Sequence, residues 1–234
     1  PQTLKQLMQD GRLKCCRIND YPACRWRGLM IDVSRHFFST DCLKRQIDLM
    51  AAVKLNRLHL HLTDAAGWRI EIKRFPRLTE IGAWRTDSLW KTWWNDTPRH
   101  YASAQAPGAY GGYYSQEELR ELVAYAAQRG ITVVPEIEMP AHSEEVLTAY
   151  PELSCTHEPY KQADFCPGNE GTFRFLKNVL TEVMQVFPSE YIHVGGDEAG
   201  KASWKDCPLC QKRMKELQTD RVDDLQGYLM RRMG

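Results

Sequence analysis

The chain reads as an α/β protein built from parallel βα units, and three observations carry that reading. Apolar runs alternate with segments of helical period four times along the sequence. The apolar runs are near-continuous, as in strands covered on both faces. Ionisable residues gather at or just past the ends of the later runs: Asp64, the Glu136/Glu138/His142 group, and Asp197-Glu198. A doubly wound sheet would carry a Gly-rich phosphate turn after its first strand. Here Ser34-Arg35-His36-Phe37-Phe38 follows instead. Polar residues at strand ends favour the (β/α)8 TIM barrel, whose chemistry lies at the C-terminal ends of its strands.

The elements follow in order. Leu4, Leu7 and Met8 before Gly11 resemble the tail of a helix. Residues 28–33 read as a buried strand. Ser39-Thr40-Asp41 caps a helix over 41–55, with Leu43, Ile47, Met50 and Ala51 on one face. Residues 57–63 form a second strand. Ser115 and Glu118 make a capping box for a helix carrying Leu119, Leu122, Val123 and Ala126 and stopped by Gly130. Residues 131–138 form a third strand. Phe173, Leu176, Leu180, Val183, Met184 and Phe187 mark a helix ended by Pro188. A fourth strand covers 191–195, and a helical region runs from about Ser203 onward.

Strand starts near 28, 57, 131 and 191 use up most of the 234 residues. A complete barrel takes about 250 residues with short loops. The expectation is the first four βα units only, with 22–234 as the N-terminal half of the barrel and 1–21 as the tail of a preceding small α/β domain. Pro1-Gln2-Thr3-Leu4 lacks both Met and an apolar stretch, so it reads as a cut point rather than a signal peptide.

Composition narrows the partners. Lys+Arg of 31 against Asp+Glu of 30 gives a net charge of +1, which argues against a nucleic-acid or membrane-surface binder. No apolar run approaches the roughly 20 residues of a membrane span. The eight cysteines are irregularly spaced. Cys155 and Cys166 are candidates for a bridge in an oxidising compartment. Cys207-Pro-Leu-Cys210 is a lone CxxC, which by itself is weak evidence for zinc.

Several constellations could carry chemistry. Glycines in Gly195-Gly196-Asp197-Glu198 allow a tight turn and close approach to a ligand. The two adjacent acids can address different atoms of one substrate, with their ionisations pushed apart. The bland alternative is a glycine turn with two solvated acids. His59 and His61 share a strand face, as a metal pair or as two buried, hydrogen-bonded histidines. Asp64 and His142 could meet across neighbouring strand tops, the carboxylate orienting the imidazole, or be unrelated loop residues. Glu136 and Glu138 need partners if they face a barrel interior. Arg27 is one candidate. Trp90, Trp93 and Trp94 either line outer sugar subsites or pack their own loop.

Together these residues resemble a known family. Arg25-Trp26-Arg27-Gly28 through Phe37, His59-Leu60-His61-Leu62-Thr63-Asp64 with Gly67-Trp68-Arg69, Pro135-Glu136-Ile137-Glu138 through His142, and His193-Val194-Gly195-Gly196-Asp197-Glu198 are similar, in order, to the β-N-acetylhexosaminidases of glycoside hydrolase family 20. The resemblance covers about 22–215. It implies a retaining, substrate-assisted hydrolase that releases terminal β-linked N-acetylhexosamine (GlcNAc or GalNAc) through an oxazolinium intermediate. Glu198 would be the general acid and then base, and Asp197 would hold the acetamido N–H. Asp64 and His142 would form the pair supporting Glu198. Arg27, Glu138 and His61 are assigned to substrate binding: Arg27 to the hydroxyls at C3 and C4, and Glu138 also to the supporting network. Ala141 stands where the family usually has Gly. No cofactor and no metal are implied. The partners expected are N-acetylhexosamine-terminated glycans, with no nucleic acid and no membrane span, in a periplasmic or extracellular setting.

The family's aromatic acetamido walls come from the second half of the barrel. A half barrel is therefore expected to be inactive and to self-associate. Two other classes stay open: a non-catalytic half-barrel used for binding or assembly, and a metal-dependent barrel hydrolase resting on His59 and His61.

Overall fold

The computed structural model describes residues 2–8, 10–95 and 99–234. Pro1, part of the proposed cut point, lies outside them.

Three of the expected strands form one parallel sheet. β1 (Gly28–Asp32), β2 (Arg57–His61) and β7 (Thr132–Glu136) are ordered β1-β2-β7. The register aligns Asp32 with His61 and His61 with Glu136, so one rung carries three ionisable side chains. The fourth strand is shorter than expected. Only His193 pairs in parallel with Glu136, through Ile137 N–H to His193 O (3.0 Å) and His193 N–H to Pro135 O (2.9 Å). The rung thus extends to a fourth member.

Helix starts are chemically determined. In α2 (Thr40–Ala52) the Ser39 hydroxyl accepts from the Cys42 amide at 3.3 Å, satisfying one of the donors a helix start leaves open. In α5 (Gln116–Ala127) both halves of the capping box form: Ser115 Oγ accepts from Glu118 N at 3.2 Å, and Glu118 Oε2 accepts from Ser115 N at 2.8 Å. Gly130 follows at φ +72°, a left-handed stop that glycine adopts without penalty. The Asn169 side chain caps α7 (Glu170–Val186), accepting from Gly171 N at 2.8 Å.

These helices cover one face of the sheet. Leu43 and Ile47 from α2, Leu58 and Leu60 from β2, Leu119 and Leu122 from α5, and Val179 and Val183 from α7 are all fully buried in one core. Each such burial is worth about 1.5–3 kcal/mol. Period-two alternation sends His59 and His61 to the opposite face. There Trp26, Met30, Val134, Tyr191 and His193 border an open cavity of about 610 Å³, with Met30 52% and Tyr191 55% exposed.

The connection after β2 is an elaborate loop. It carries two short antiparallel hairpins: β3 (Thr63–Asp64) with β4 (Gly67–Trp68), and β5 (Trp84–Arg85) with β6 (Tyr110–Gly111). α3 (Arg77–Glu80) lies between the two hairpins, and α4 (Trp90–Asn95) lies between the strands of the second. Fully buried Arg69 holds this loop, donating to the carbonyls of Val33 (3.0 Å), Ser34 (2.6 Å), Ala83 (2.6 Å) and Gly112 (2.9 Å). Those bonds satisfy carbonyls that a buried loop would otherwise strand.

After β7 come α6 (Glu144–Ala149) and a 3₁₀ turn (Pro151–Leu153). The helical region expected from Ser203 is three helices: α8 (Ala202–Asp206), α9 (Pro208–Glu216) and α10 (Asp223–Met233). A second, smaller core joins Trp204, Cys166, Cys207, Cys210, Met214 and Leu225. The candidate Cys155–Cys166 bridge is absent here: both cysteines are free, and the nearest sulfur to each lies on the Cys207/Cys210 segment. At the other end of the chain stands α1 (Gln2–Leu7), and residues 13–27 before β1 form no regular element. No helix among the described residues is long and apolar enough to cross a membrane.

Candidate active site

Register builds the base of the site. On the shared rung, Glu136 Oε2 takes hydrogen bonds from His59 Nε2 (2.8 Å) and His61 Nδ1 (2.6 Å), and its Oε1 pairs with His193 Nδ1 (2.7 Å). Burial favours the neutral acid, but these imidazoles outweigh it and hold Glu136 well below the usual carboxylate range. The other His61 nitrogen, Nε2, lies 3.1 Å from Asp64 Oδ2. Burial pulls the His61 imidazole down, while its bonds to Asp64 and Glu136 carry it up to about 10. His61 is 5% exposed with both nitrogens engaged, so it has no free atom to offer a sugar. In this structure it lies between the Glu136 and Asp64 carboxylates rather than on an open surface.

Asp64 is the junction between this base and the loops. Its Oδ2 also meets Arg35 Nη2 at 2.7 Å and His142 Nδ1 at 3.5 Å. Burial would raise the Asp64 carboxyl, yet hydrogen bonds from His142 and His61, with the Arg35 charge, keep it below its ordinary value. The bond to Asp64 in turn lifts the His142 imidazole to about 8, against the opposing pull of burial. His142 Nε2 is closed off from solvent and makes no well-aligned hydrogen bond. It faces Glu198 Oε2 at 3.3 Å and Asp197 Oδ2 at 3.8 Å. Asp64, His142, Glu198 and Asp197 are therefore brought together in one chain of contacts.

The Gly195-Gly196 turn sets the two acids in place. Gly195 sits at φ +64° and Gly196 at φ +113°. A Cβ on Gly195 would overlap the Glu138 carboxylate, so only glycine admits that approach. Glu138 Oε1 accepts from the Gly196 amide at 3.0 Å, and the Glu138 amide donates to Thr63 Oγ1 at 2.8 Å. Burial, followed by the charges of Asp197 and Glu136 and opposed by the Gly196 amide, pushes the Glu138 carboxyl up to about 8. His142 (φ +53°) and Glu198 (φ +49°) both hold left-handed backbone, a costly conformation for non-glycine residues that is concentrated at functional sites. Arg35, Asp64, Trp90, Trp94, His142 and Glu198 line a cavity of about 230 Å³. Trp93 is buried instead.

Arg27 is elsewhere. It precedes β1, and its guanidinium donates to the carbonyls of Lys54 (2.8 Å), Cys24 (2.6 Å) and Arg25 (3.2 Å). The expected pairing of Arg27 with Glu136 and Glu138 is corrected: three histidines serve Glu136, and the Gly196 amide serves Glu138. The arginine that reaches the site is Arg35, three residues beyond β1, through Asp64. Sequence reasoning passed over Arg35 and His193. Both carry the signal that flagged Asp64, an ionisable residue at a strand's C-terminal end.

Around this site, among the described residues, three groups are close enough by distance to hold a cation: His59/Glu136/His193, His61/Glu136/Glu138, and His142/Asp197/Glu198. The first two are already closed by imidazole–carboxylate contacts.

At the C-terminal end of a parallel sheet, then, an imidazole links a sealed carboxylate to two adjacent exposed ones. The chain belongs to glycosyl hydrolase family 20, whose catalytic domain matches residues 24–234. A β-hexosaminidase of Porphyromonas gingivalis is 44% identical over 222 residues, which cover 92% of this chain and 26% of that protein. The crystal structure of an exo-β-N-acetylglucosaminidase from Vibrio harveyi, in complex with N-acetylglucosamine, superposes with a TM-score of 0.82 at 38% identity, covering 99% of this chain and 37% of that one. A β-N-acetylhexosaminidase from Bacteroides fragilis gives 0.81 at 42% identity, covering 97% of this chain and 43% of that one. The chain thus spans less than half the length of each of these relatives.

Proposed function

We propose that this chain is the acid–base portion of an exo-acting, retaining β-N-acetylhexosaminidase, and that it supplies the first four βα units of a (β/α)8 barrel. The observation that carries the proposal is the contact chain from sealed Asp64 through His142 to Glu198 and Asp197, which are 78% and 68% exposed at the side chain. Exposed acids beside a cavity can reach a substrate, and a buried ion pair behind them fixes their orientation.

In this reading, the substrate's own 2-acetamido carbonyl oxygen attacks the anomeric carbon and closes an oxazolinium ring. Glu198 gives its proton to the departing glycosidic oxygen. Asp197 accepts a hydrogen bond from the acetamido N–H, where positive charge develops, so its contribution grows toward the transition state. Glu198 then takes a proton from water, which opens the ring and restores the original anomeric configuration. Trp90 and Trp94 offer flat faces to the leaving sugar. Arg27 reaches the hydroxyls at C3 and C4 only if its guanidinium leaves the carbonyls that hold it. The substrates are N-acetylhexosamine-terminated glycans. The 234 residues alone are inactive and self-associate: their 230 Å³ cavity is below the roughly 300–1,000 Å³ of ligand pockets, and the apolar sheet face around Met30 and Tyr191 is open.

The test assays a full-length parent and this chain on 2-acetamido and 2-hydroxy aryl glycosides, with light scattering on the chain. The parent should turn over the 2-acetamido sugar and scarcely touch the 2-hydroxy sugar, and the chain should do neither and scatter as an oligomer. Equal turnover of both sugars by the parent would remove the substrate-assisted mechanism. An active monomer would remove the half-barrel account.

A further inference from the structure

Four cysteines far apart in sequence meet behind the loop that carries Glu198. Cys155 and Cys166 come from the connection between α6 and α7, and Cys207 and Cys210 from the start of α9. Their sulfurs all lie within 4.8 Å of one another. The closest approaches cross between the two pairs: Cys155–Cys210 at 3.7 Å, Cys166–Cys207 at 3.7 Å and Cys166–Cys210 at 3.6 Å. Cys166 and Cys210 each touch two other sulfurs, so this is a four-cornered cage rather than two partnered couples. A tetrahedral zinc with Zn–S bonds of about 2.3 Å places its sulfurs about 3.8 Å apart, close to these separations.

The surroundings suit thiolates. Cys166, Cys207 and Cys210 are buried, under Trp204, Met214 and Leu225. Gly168 lies so close to the Leu209–Cys210 backbone that any Cβ there would overlap it. Cys207 is the N-cap of α9, and its sulfur makes no capping bond to the helix. Cys210 lies in the first turn, where the helix dipole favours negative charge.

We infer that Cys155, Cys166, Cys207 and Cys210 form a structural zinc site. On binding, four Zn–S bonds form and four thiol protons pass to solvent, leaving a doubly negative centre shielded from water. With all four positions filled by sulfur, the centre has no open place for substrate. Its role is to fasten two loops together. Asp164, two residues before Cys166, accepts from the amides of Gly200 (3.3 Å) and Lys201 (3.0 Å), just past Glu198. The cage therefore anchors the far side of the segment bearing Asp197 and Glu198.

The experiment purifies a full-length parent without chelator or added metal and measures bound metals by elemental mass spectrometry. Cobalt exchange and non-reducing peptide mapping follow on the same sample. The inference expects one equivalent of zinc per chain, cobalt spectra of tetrahedral thiolate coordination, and no disulfide among these four residues. Cys207→Ser and Cys166→Ser should lose the zinc, while Cys42→Ser, outside the cage, should keep it. Because a ligand variant could fail to fold, the unmutated protein decides the matter. Absence of zinc, iron in its place, or a disulfide joining any two of the four would overturn the inference.

Discussion

Glu136 and Glu198 both stand at the C-terminal ends of parallel strands, but one is sealed and the other open. The Glu136 side chain is 6% exposed and touched by three imidazoles, whereas that of Glu198 is 78% exposed with His142 beside it. The difference follows from position. Glu136 lies on the last full rung of the sheet, where neighbouring strands supply partners at fixed spacing. Glu198 lies past the double-glycine turn, where the chain has left the sheet. A buried charge must be paired, and breaking such a pair is far costlier than altering an exposed one. The two regions should therefore answer mutation in different ways: the rung through stability, the loop through chemistry.

The largest effect belongs to the loop. In a full-length parent, Glu198→Gln should lower turnover about 10²–10⁴-fold on substrates with poor leaving groups, and far less on activated aryl glycosides. Steady-state kinetics on both substrate types checks this. Equal losses would separate Glu198 from protonation of the leaving group.

On the rung, Glu136→Ala leaves three imidazoles without their shared carboxylate. The expected cost is about 3–5 kcal/mol of stability, read from urea unfolding of the parent. A change below about 1 kcal/mol, the median range for exposed ion pairs, would mean that the rung behaves as surface.

The smallest effect is a pH slope that sharpens the comparison. His142 is raised from 6.5 to about 8 and Glu138 from 4.5 to about 8. Between each group's ordinary and folded values, the folded protein binds more protons than the unfolded chain, so stability falls as pH rises. The His142 contribution is whole below 6.5 and lost through about 8, while Glu138 adds a decline that begins near 4.5. Glu138→Gln should flatten the fall in urea midpoint between pH 4.5 and 8. An unchanged slope would show that the Glu138 carboxyl is not held protonated.

Local chemistry made much of this legible in the sequence. Ser39 and the Ser115/Glu118 box announced their helices, because caps act within one turn. Asp64, His142, Asp197 and Glu198 stood out because strand ends concentrate polar residues. Strand register was not legible: nothing near His193 says that it shares a rung with Glu136. The direction of Arg27 was hidden for the same reason, since its partners include Lys54, from a different segment. The cysteine cage was hidden by distance along the chain. CxxC looked solitary because its second pair lies more than forty residues away, brought near only by the packing of α9 behind the loop.

The most direct test makes Glu198→Gln and Glu136→Gln in the same full-length parent and measures kcat/KM and the urea midpoint of each. The account predicts a dissociation. Glu198→Gln should unfold within about 0.5 kcal/mol of the unmutated enzyme, as exposed substitutions usually do, while losing most of its activity on poor leaving groups. Glu136→Gln should unfold at distinctly lower urea and keep more of its activity per folded molecule. If Glu198→Gln destabilised the protein as much as Glu136→Gln did, or if Glu136→Gln lost activity at full stability, the division between a sealed supporting rung and an open reacting loop would be contradicted.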